Sequence, residues 1–417
     1  MKVDFEKFYS SLARRKTSGA LAEIFKLTER PEVISFAGGF PAKEMYLVDE
    51  AKEVMTEVME EKQTEALGYS PTPGFSDLRE FIATRQTGMD MEASKDNIVV
   101  TSGSSQGVNL VCQAFLDKGD KVVVEAPTFL GTISTLANYE AEIEPISMDE
   151  DGLKVDELEE KLKLWKKENR LPKALYTIPT FQNPSGRTMS LERRKKLLEL
   201  ASKYDFMIFE DYAYGELRFK GEVLPTLKAL DQESRVIFLG SFSKTLSPGA
   251  RIGFLQADEK LVEKIILIKQ SLDQCSNSLG QYLILEFGKR GLIEKQINTT
   301  VEILKEKSNL TMELLEENFK GIAEWTKPQG GFFTWMIFPP GFDSQKFLPK
   351  CVEEAKVAYV AGSTFFLGDE GDNKLRLCFS EPTLEEMKEG IPRLKGFLDD
   401  FMENGTKTGT SRVSTKS

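Results

Sequence analysis

Seven short apolar runs rich in Val, Ile, Phe and Tyr recur along the middle of the chain: IVVTSG near 98, KVVVEAP near 121, AEIEPIS near 141, KALYTIP near 173, FMIFED near 206, RVIFLGSFSK near 235 and RIGFLQA near 251. β-Branched and aromatic residues suit a pleated, buried surface, so these runs predict strands. Between most of them the apolar positions switch to helical spacing, as in 104–117 and 190–204. Strand alternating with helix is the pattern of βαβ units. It predicts an α/β region over residues 46–290, built on a mostly parallel seven-stranded sheet. Past residue 290 the pattern changes. A long amphipathic stretch, VEILKEKSNLTMELLEENF, precedes two apolar runs, GGFFTWMIF and LRLCFS, that read as antiparallel strands, and a closing helix begins at TLEEMKEG. Residues 291–402 are therefore expected to form a smaller α+β domain, with the segment 1–45 joining it. The final stretch 403–417, ENGTKTGTSRVSTKS, has no apolar residue but Val413 and is expected to be a disordered tail.

Composition narrows the class. With 417 residues, 40% hydrophobic and 29% charged, the chain matches a soluble globular protein of two or three domains. A net charge of -11 argues against nucleic acid or an anionic membrane as the main partner. Cys112, Cys275, Cys351 and Cys378 lie far apart without a CxxC, so neither a disulfide framework nor a metal site is expected and a reducing cytoplasm fits. The start MKVDFEKFYSSLARRK has no apolar stretch, and no run of about 18 apolar residues occurs, so neither secretion nor membrane spanning is expected. The chain contains no histidine. Ser-His-Asp and Cys-His catalysis and HExxH zinc sites are thereby excluded, leaving Lys, Tyr, Cys or a carboxylate for proton transfer. The basic run KLKLWKKENR, 161–170, reads as a solvated helix and its exit.

In open parallel sheets, ligands collect outside the carboxyl ends of the strands. Five of the seven predicted strands end in residues with a ligand role: Ser104 to Gln106, Phe129, Asn183, Asp211 and Lys244. After Gly103, Ser104 and Ser105 open a helix whose first amides suit a phosphate; a plain serine cap is the ordinary alternative. Lys244 lies just beyond a strand, with Arg251 following after a Pro-Gly turn. A desolvated lysine near a cation loses its proton and can form an imine, whereas a solvated turn lysine does neither. Asp211 and Asn183 are each compatible with ordinary turn chemistry. Beside a strand-end lysine they supply what a pyridoxal ring needs, an anion at the ring nitrogen and donors at the ring oxygen.

The motifs ISFAGGFP (34–41), GYSPTPG (68–74), TSGSSQG, PTFQNPSG, EDYAYGEL, GSFSKTLSPGARIGF and LRLCFS occur in this order. Over about residues 8–400 they resemble the fold-type-I pyridoxal-phosphate aminotransferases of class I/II, in particular the 2-aminoadipate and kynurenine/aminoadipate subgroup. The resemblance implies the PLP-dependent transferase fold, pyridoxal 5'-phosphate as cofactor, and transamination between an amino acid and a 2-oxo acid such as 2-oxoglutarate. Lys244 would carry the cofactor as a Schiff base, Asp211 would pair with the ring nitrogen, Asn183 and Tyr214 would hold the ring oxygen, and Phe129 would stack on the ring. Ser104, Ser105, Ser241, Ser243 and Arg251 would surround the phosphate, and Tyr69 would reach the phosphate of the neighbouring subunit in a homodimer with shared sites. Arg376 would grip the substrate carboxylate as a two-pronged fork, with Asn183 and the Gly38-Gly39 turn beside it. A carboxylate held in that way leaves the Cα proton aligned for loss, favouring transamination over decarboxylation, with Lys244 shuttling the proton.

Three departures qualify the resemblance. Phe129 stands where many relatives have Tyr, Ser105 where many have Gln, and Ala22 where aminoadipate-type relatives place an arginine. The last predicts a neutral aliphatic or aromatic amino donor, unless Arg14 or Arg15 substitutes to accept a 2-aminoadipate-like one. Competing readings are weaker. Ser241 to Lys244 is formally SxxK and Lys407 to Gly409 is KTG, but no SDN occurs and SxxK should open a helix, not close a strand. The second glycine of a P-loop is missing. A ligand-sensing domain of a transcription regulator on this fold would need a winged-helix domain, for which about 45 residues are too few. A β-lyase would use the same residues around Lys244 and stays open.

Overall fold

The computed structural model describes residues 3–15 and 30–409. Its sheets begin with a two-residue strand, β1 (Ile34–Ser35), and then take up the middle region of the chain. All seven apolar runs there are strands: β2 (Ile98–Thr101), β3 (Lys121–Ala126), β4 (Glu142–Asp149), β6 (Ala174–Thr177), β7 (Met207–Tyr212), β8 (Val236–Ser241) and β9 (Gly253–Gln256). An eighth, β5 (Gly152–Leu153), corrects the expected number. It is two residues long, too short to show a pattern, and pairs antiparallel with the end of β4 after the chain turns back at residues 150–151, Gly152 entering the pairing at φ 90°. The order is β2-β9-β8-β7-β6-β3-β4-β5. Strands β4, β3, β6, β7 and β8 run parallel, while β9 is antiparallel to both β8 and β2.

The runs are apolar throughout because both faces of this sheet are covered. Val122 and Val124 join the core formed with Val108 and Val111 of the helix Ser104–Phe115. Val123, between them, points the other way into the core formed with Leu158 of the helix Val155–Lys167 and Leu197 of the helix Leu191–Tyr204. Each such valine stabilises the fold by roughly 1.5–3 kcal/mol relative to exposure, and a charge at Val123 would have no partner. The basic run at 161–170 lies on the helix Val155–Lys167 and its exit, with Leu162 and Trp165 buried beneath it.

Beyond this sheet lie β10 (Glu324–Trp325), β11 (Phe333–Ile337), β12 (Val357–Ala358), β13 (Val360–Ala361) and β14 (Lys374–Cys378). Four of them form an antiparallel sheet in the order β10-β11-β14-β13, and β12 pairs parallel with β1. The early segment is thus sewn to the late one: Phe36 and Met45 share a core with Leu304, Met387 and Ile391. The long helix spans Leu292–Phe319, starting well before its apolar pattern does. The stretch KQINTT within its first turns looks polar, yet Gln296 and Thr300 there, like Ile293 before them, are buried, so tertiary packing carries them. The closing helix, Leu384–Gly409, runs into the stretch expected to be a disordered tail, and residues 410–417 of that tail lie outside the described residues.

Among the described residues no helix is long and apolar enough to cross a membrane, and no group of His, Cys, Asp or Glu could hold a metal ion.

Candidate active site

The carboxyl ends of β2, β3, β6, β7 and β8 meet the loop 38–40 and strands β11 and β14 around a cavity of about 300 Å³. Every predicted site residue lines it except Tyr69, which is 87% exposed outside it. Gln106, grouped with the strand-end candidates, also lies outside the lining. Its Oε1 accepts from the Ser102 amide at 2.7 Å and its Nε2 donates to Asp273 at 2.6 Å, so it braces the loop from behind.

One end of the cavity is cationic and rich in hydrogen-bond donors. The helix Ser104–Phe115 starts after Gly103, at φ 79°, with no side chain capping it and no acidic residue in its first turn. The plain serine-cap alternative is therefore wrong: Ser104 and Ser105 sit in the first turn, leaving the amides for an anion. Arg251 faces this helix start from a left-handed backbone (φ 54°) that is costly for a side-chain-bearing residue, and its Nη2 donates to the Ser102 carbonyl at 3.0 Å. Gly103 is needed for its conformation and for space, since a Cβ there would come within 2.7 Å of that Nη2. Ser241 and Ser243 complete the end, with the Ser243 amide donating to Ser241 Oγ at 3.2 Å.

The floor is acidic. Asp211, at the end of β7, is buried, and its Oδ2 accepts from the Tyr176 hydroxyl at 2.8 Å. Its Oδ1 is buried and accepts no hydrogen bond of ordinary geometry. Burial pushes the carboxyl up to about 6, against the opposing pull of the Tyr176 hydroxyl, the nearby Ala213 amide and Lys244. Behind it, Glu125 on β3 is pushed up to about 7 by burial. Glu125 accepts from Thr177 Oγ1 at 2.5 Å and from the Ile178 amide and Gln182 Nε2 at 3.2 Å, holding the loop that carries Asn183.

Lys244 follows β8 in a turn, not at the start of a helix, which removes the context that an SxxK acyl enzyme requires. Its Nζ donates to the Gly39 carbonyl at 2.6 Å. Burial, with Arg376 and Arg251 adding to it, brings the amine down to about 8 against the contrary influence of Cys378 and Asp211. Arg376 on β14 is buried and lies over the Phe333 ring at 4.2 Å. Its Nη1 donates to Asn183 Oδ1 at 2.9 Å, and its Nη2 donates to the carbonyls of Ala37 and Gly38, both at 2.6 Å. Its buried Nε has no partner. Asn183 Nδ2 donates to the Tyr214 hydroxyl at 3.5 Å, which ties the two residues expected at the ring oxygen to each other.

The apolar walls were not singled out from the sequence. Phe40, Leu130, Phe333 and Phe365 all line the cavity. Phe40 and Phe333 stand inside the noted runs ISFAGGFP and GGFFTWMIF, where their neighbours were the signal, while Phe365 had none. For Tyr176 the sequence alone marks only a strand residue.

A phosphorylated pyridine aldehyde fits these residues. The uncapped helix start and Arg251 suit a dianion, the unpartnered buried Oδ1 of Asp211 suits a ring N–H, and a lysine brought down to about 8 suits an aldehyde carbon. With this geometry in place, the comparison with known proteins is direct: the chain belongs to the family "Aminotransferase class I and II", which matches residues 31–394. It is accordingly a pyridoxal-phosphate enzyme of fold type I that transfers an amino group between an amino acid and a 2-oxo acid. Among its relatives is aromatic-amino-acid aminotransferase 1 of Thermococcus litoralis, 42% identical over 96% of each chain. Another is 2-aminoadipate transaminase of Thermus thermophilus, 36% identical over 95% of this chain and 98% of the other. A solved relative is the kynurenine aminotransferase of Pyrococcus horikoshii, in complex with PMP, KYN as substrates and KYA as products. It is 41% identical, has a TM-score of 0.91, and is matched over 96% of this chain and 98% of that one.

Proposed function

We propose that the cavity is the transamination site and that the preferred amino donor carries a neutral aliphatic or aromatic side chain. The observation that carries the first part is the unpartnered Oδ1 of Asp211 sharing one cavity with the Lys244 amine. When bound, pyridoxal phosphate supplies an aldehyde to receive the amino group and a ring to take up the electron pair left at the substrate Cα. Ser104, Ser105, Ser241, Ser243, Arg251 and the first amides of the helix Ser104–Phe115 hold the phosphate. Phe129 would stack on the ring, Asp211 would pair with its nitrogen, and Asn183 and Tyr214 would bond its oxygen. Arg376 receives the substrate carboxylate, its Nε being free and Asn183 and Gly39 lying beside it. Lys244 Nζ takes the Cα proton, and the lowered pKa of its amine leaves a useful neutral fraction for that work near pH 8.

The donor assignment rests on the walls. Phe40, Leu130, Phe333 and Phe365 are apolar, and the only cations lining the cavity among the described residues are Lys244, Arg251 and Arg376, each with a role already. Ala22, which carried the same expectation, lies outside the described residues, and Arg14 donates to the Glu6 carbonyl at 3.0 Å. A panel of amino donors read by the absorbance change of the loaded enzyme tests this. Phenylalanine, tyrosine, leucine or methionine should lead, and a clear preference for glutamate or 2-aminoadipate overturns the assignment.

The reading extends to the whole molecule. Residues 46–290 act as the cofactor-binding domain and 291–402 as the smaller domain, with 1–45 joined to the latter, in keeping with the β1-β12 pairing. The active form is a homodimer in which Tyr69 reaches across to the neighbouring phosphate. Its 87% exposure, with Leu67, Phe5 and Phe8 also exposed on the described chain, supports this. Light scattering should give twice the chain mass, and Tyr69→Phe should weaken cofactor retention. The four free cysteines fit a location in the reducing cytoplasm.

A further inference from the structure

Tyr176 lies on β6 with its whole side chain buried, and its hydroxyl is the feature that separates it from the apolar residues around it. The register pairs Tyr176 with Phe209 and Thr177 with Glu210. Asp211 therefore stands two positions further along β7, on the face that Tyr176 shares, close enough for the 2.8 Å bond to Oδ2. Burial, and the carboxylate itself, keep this phenol protonated well above neutral pH, so it is always a donor. The other titratable groups facing Asp211 are Lys244, Tyr214 and, from β3, Glu125. None of these donates to Oδ2.

We propose that Tyr176 is a positioning residue for transamination, fixing the orientation of Asp211 so that Oδ1 alone meets the cofactor's ring nitrogen and keeping Asp211 the ionised partner of that contact. This rests on the reading of Asp211 given above. The physical argument has two parts. A carboxylate anchored through one oxygen by a donor that cannot titrate keeps its second oxygen directed to one place. A hydrogen bond to the ionised form also favours that form, counteracting the upward push of burial. Without it, the proton shared between Asp211 and the ring nitrogen moves toward the carboxylate, and the ring draws electrons less strongly.

The test is a double-mutant cycle on the loaded enzyme using Tyr176→Phe and Asp211→Ala, which keeps the aromatic ring in place and removes only the hydroxyl at 176. The readouts are the pH midpoint of the visible absorption change, the cofactor dissociation constant, and kcat and KM separately. Tyr176→Phe should raise the midpoint by about one pH unit, the size expected for losing one hydrogen bond to a charged group. It should lower kcat by about tenfold while leaving the donor KM nearly unchanged, with a melting temperature close to that of the parent. In the Asp211→Ala background the same substitution should add no further shift. An unchanged midpoint in Tyr176→Phe, when Asp211→Ala does move it, overturns the role of Tyr176 alone. Equal shifts in both backgrounds overturn it too, because they mean a general packing effect. An Asp211→Ala enzyme with the parent's midpoint brings down the reading of Asp211 and this inference with it.

Discussion

The two walls of the cavity differ in what their polar atoms are doing. On the wall built from the parallel sheet two anchoring features are open, although Lys244 already donates to Gly39 and Asp211 Oδ2 accepts from Tyr176: the helix Ser104–Phe115 has no side-chain cap, and Oδ1 of Asp211 has no partner. On the wall built from the antiparallel sheet, Arg376 is already tied to the chain through Asn183, Ala37 and Gly38, with only Nε free. An unsatisfied buried group costs about 1–3 kcal/mol, so the first wall gains most from a ligand that stays. The second wall, on losing one, is left with one open donor, Nε of Arg376, while Nη1 and Nη2 stay tied to the chain, which suits a substrate that must leave as product.

Four experiments probe this contrast. Lys244→Ala, which removes the amine between the walls, should abolish turnover by about 10⁴-fold or more, as followed in the absorbance of each half reaction; an enzyme that keeps full activity breaks the scheme. Arg376→Leu should lower kcat/KM about 10²- to 10³-fold, through KM, while cofactor affinity measured by fluorescence quenching is unchanged. Gly103→Ala should act in the opposite way, weakening cofactor retention by roughly tenfold to a hundredfold through strain at φ 79° and the clash with Arg251, with donor KM preserved in the loaded fraction.

The smallest effect is one of pH. Capture of the aldehyde needs the neutral amine, and burial has brought Lys244 down to about 8. The rate of cofactor uptake by stripped enzyme should therefore rise about tenfold from pH 7, passing half its maximum near pH 8, to a plateau above about pH 9. A lysine at its ordinary value would give a rate still climbing at pH 10.

The parallel wall was far more legible in the sequence than the antiparallel one. Asn183, Asp211 and Lys244 stand where apolar runs stop, and a strand end in a sheet of this kind is already a place for ligands. Arg376 has no such signal: it lies within β14, among residues whose alternation says only that they form a strand, and its role came from the resemblance. Tyr176 escaped for a related reason. Its period-two neighbours mark it as core, and its target becomes visible only once the register of β6 against β7 is known. Gln106 misled because composition cannot tell which way a polar side chain leaves a helix start. The short β5 and the first turns of the helix Leu292–Phe319 were missed because packing, not pattern, holds them.

Gly186, three residues past Asn183 on the loop from the parallel sheet, has φ 68° and lies so close to the antiparallel sheet that a Cβ would come within 2.4 Å of the Phe333 carbonyl oxygen. Backbone rests there on backbone, with no side chain to act as a cushion. Such a contact sets the separation of the two walls at this point by backbone alone. Any residue larger than glycine at 186 would wedge the two walls apart there and misalign Asn183 with Arg376, although neither of those side chains had been altered.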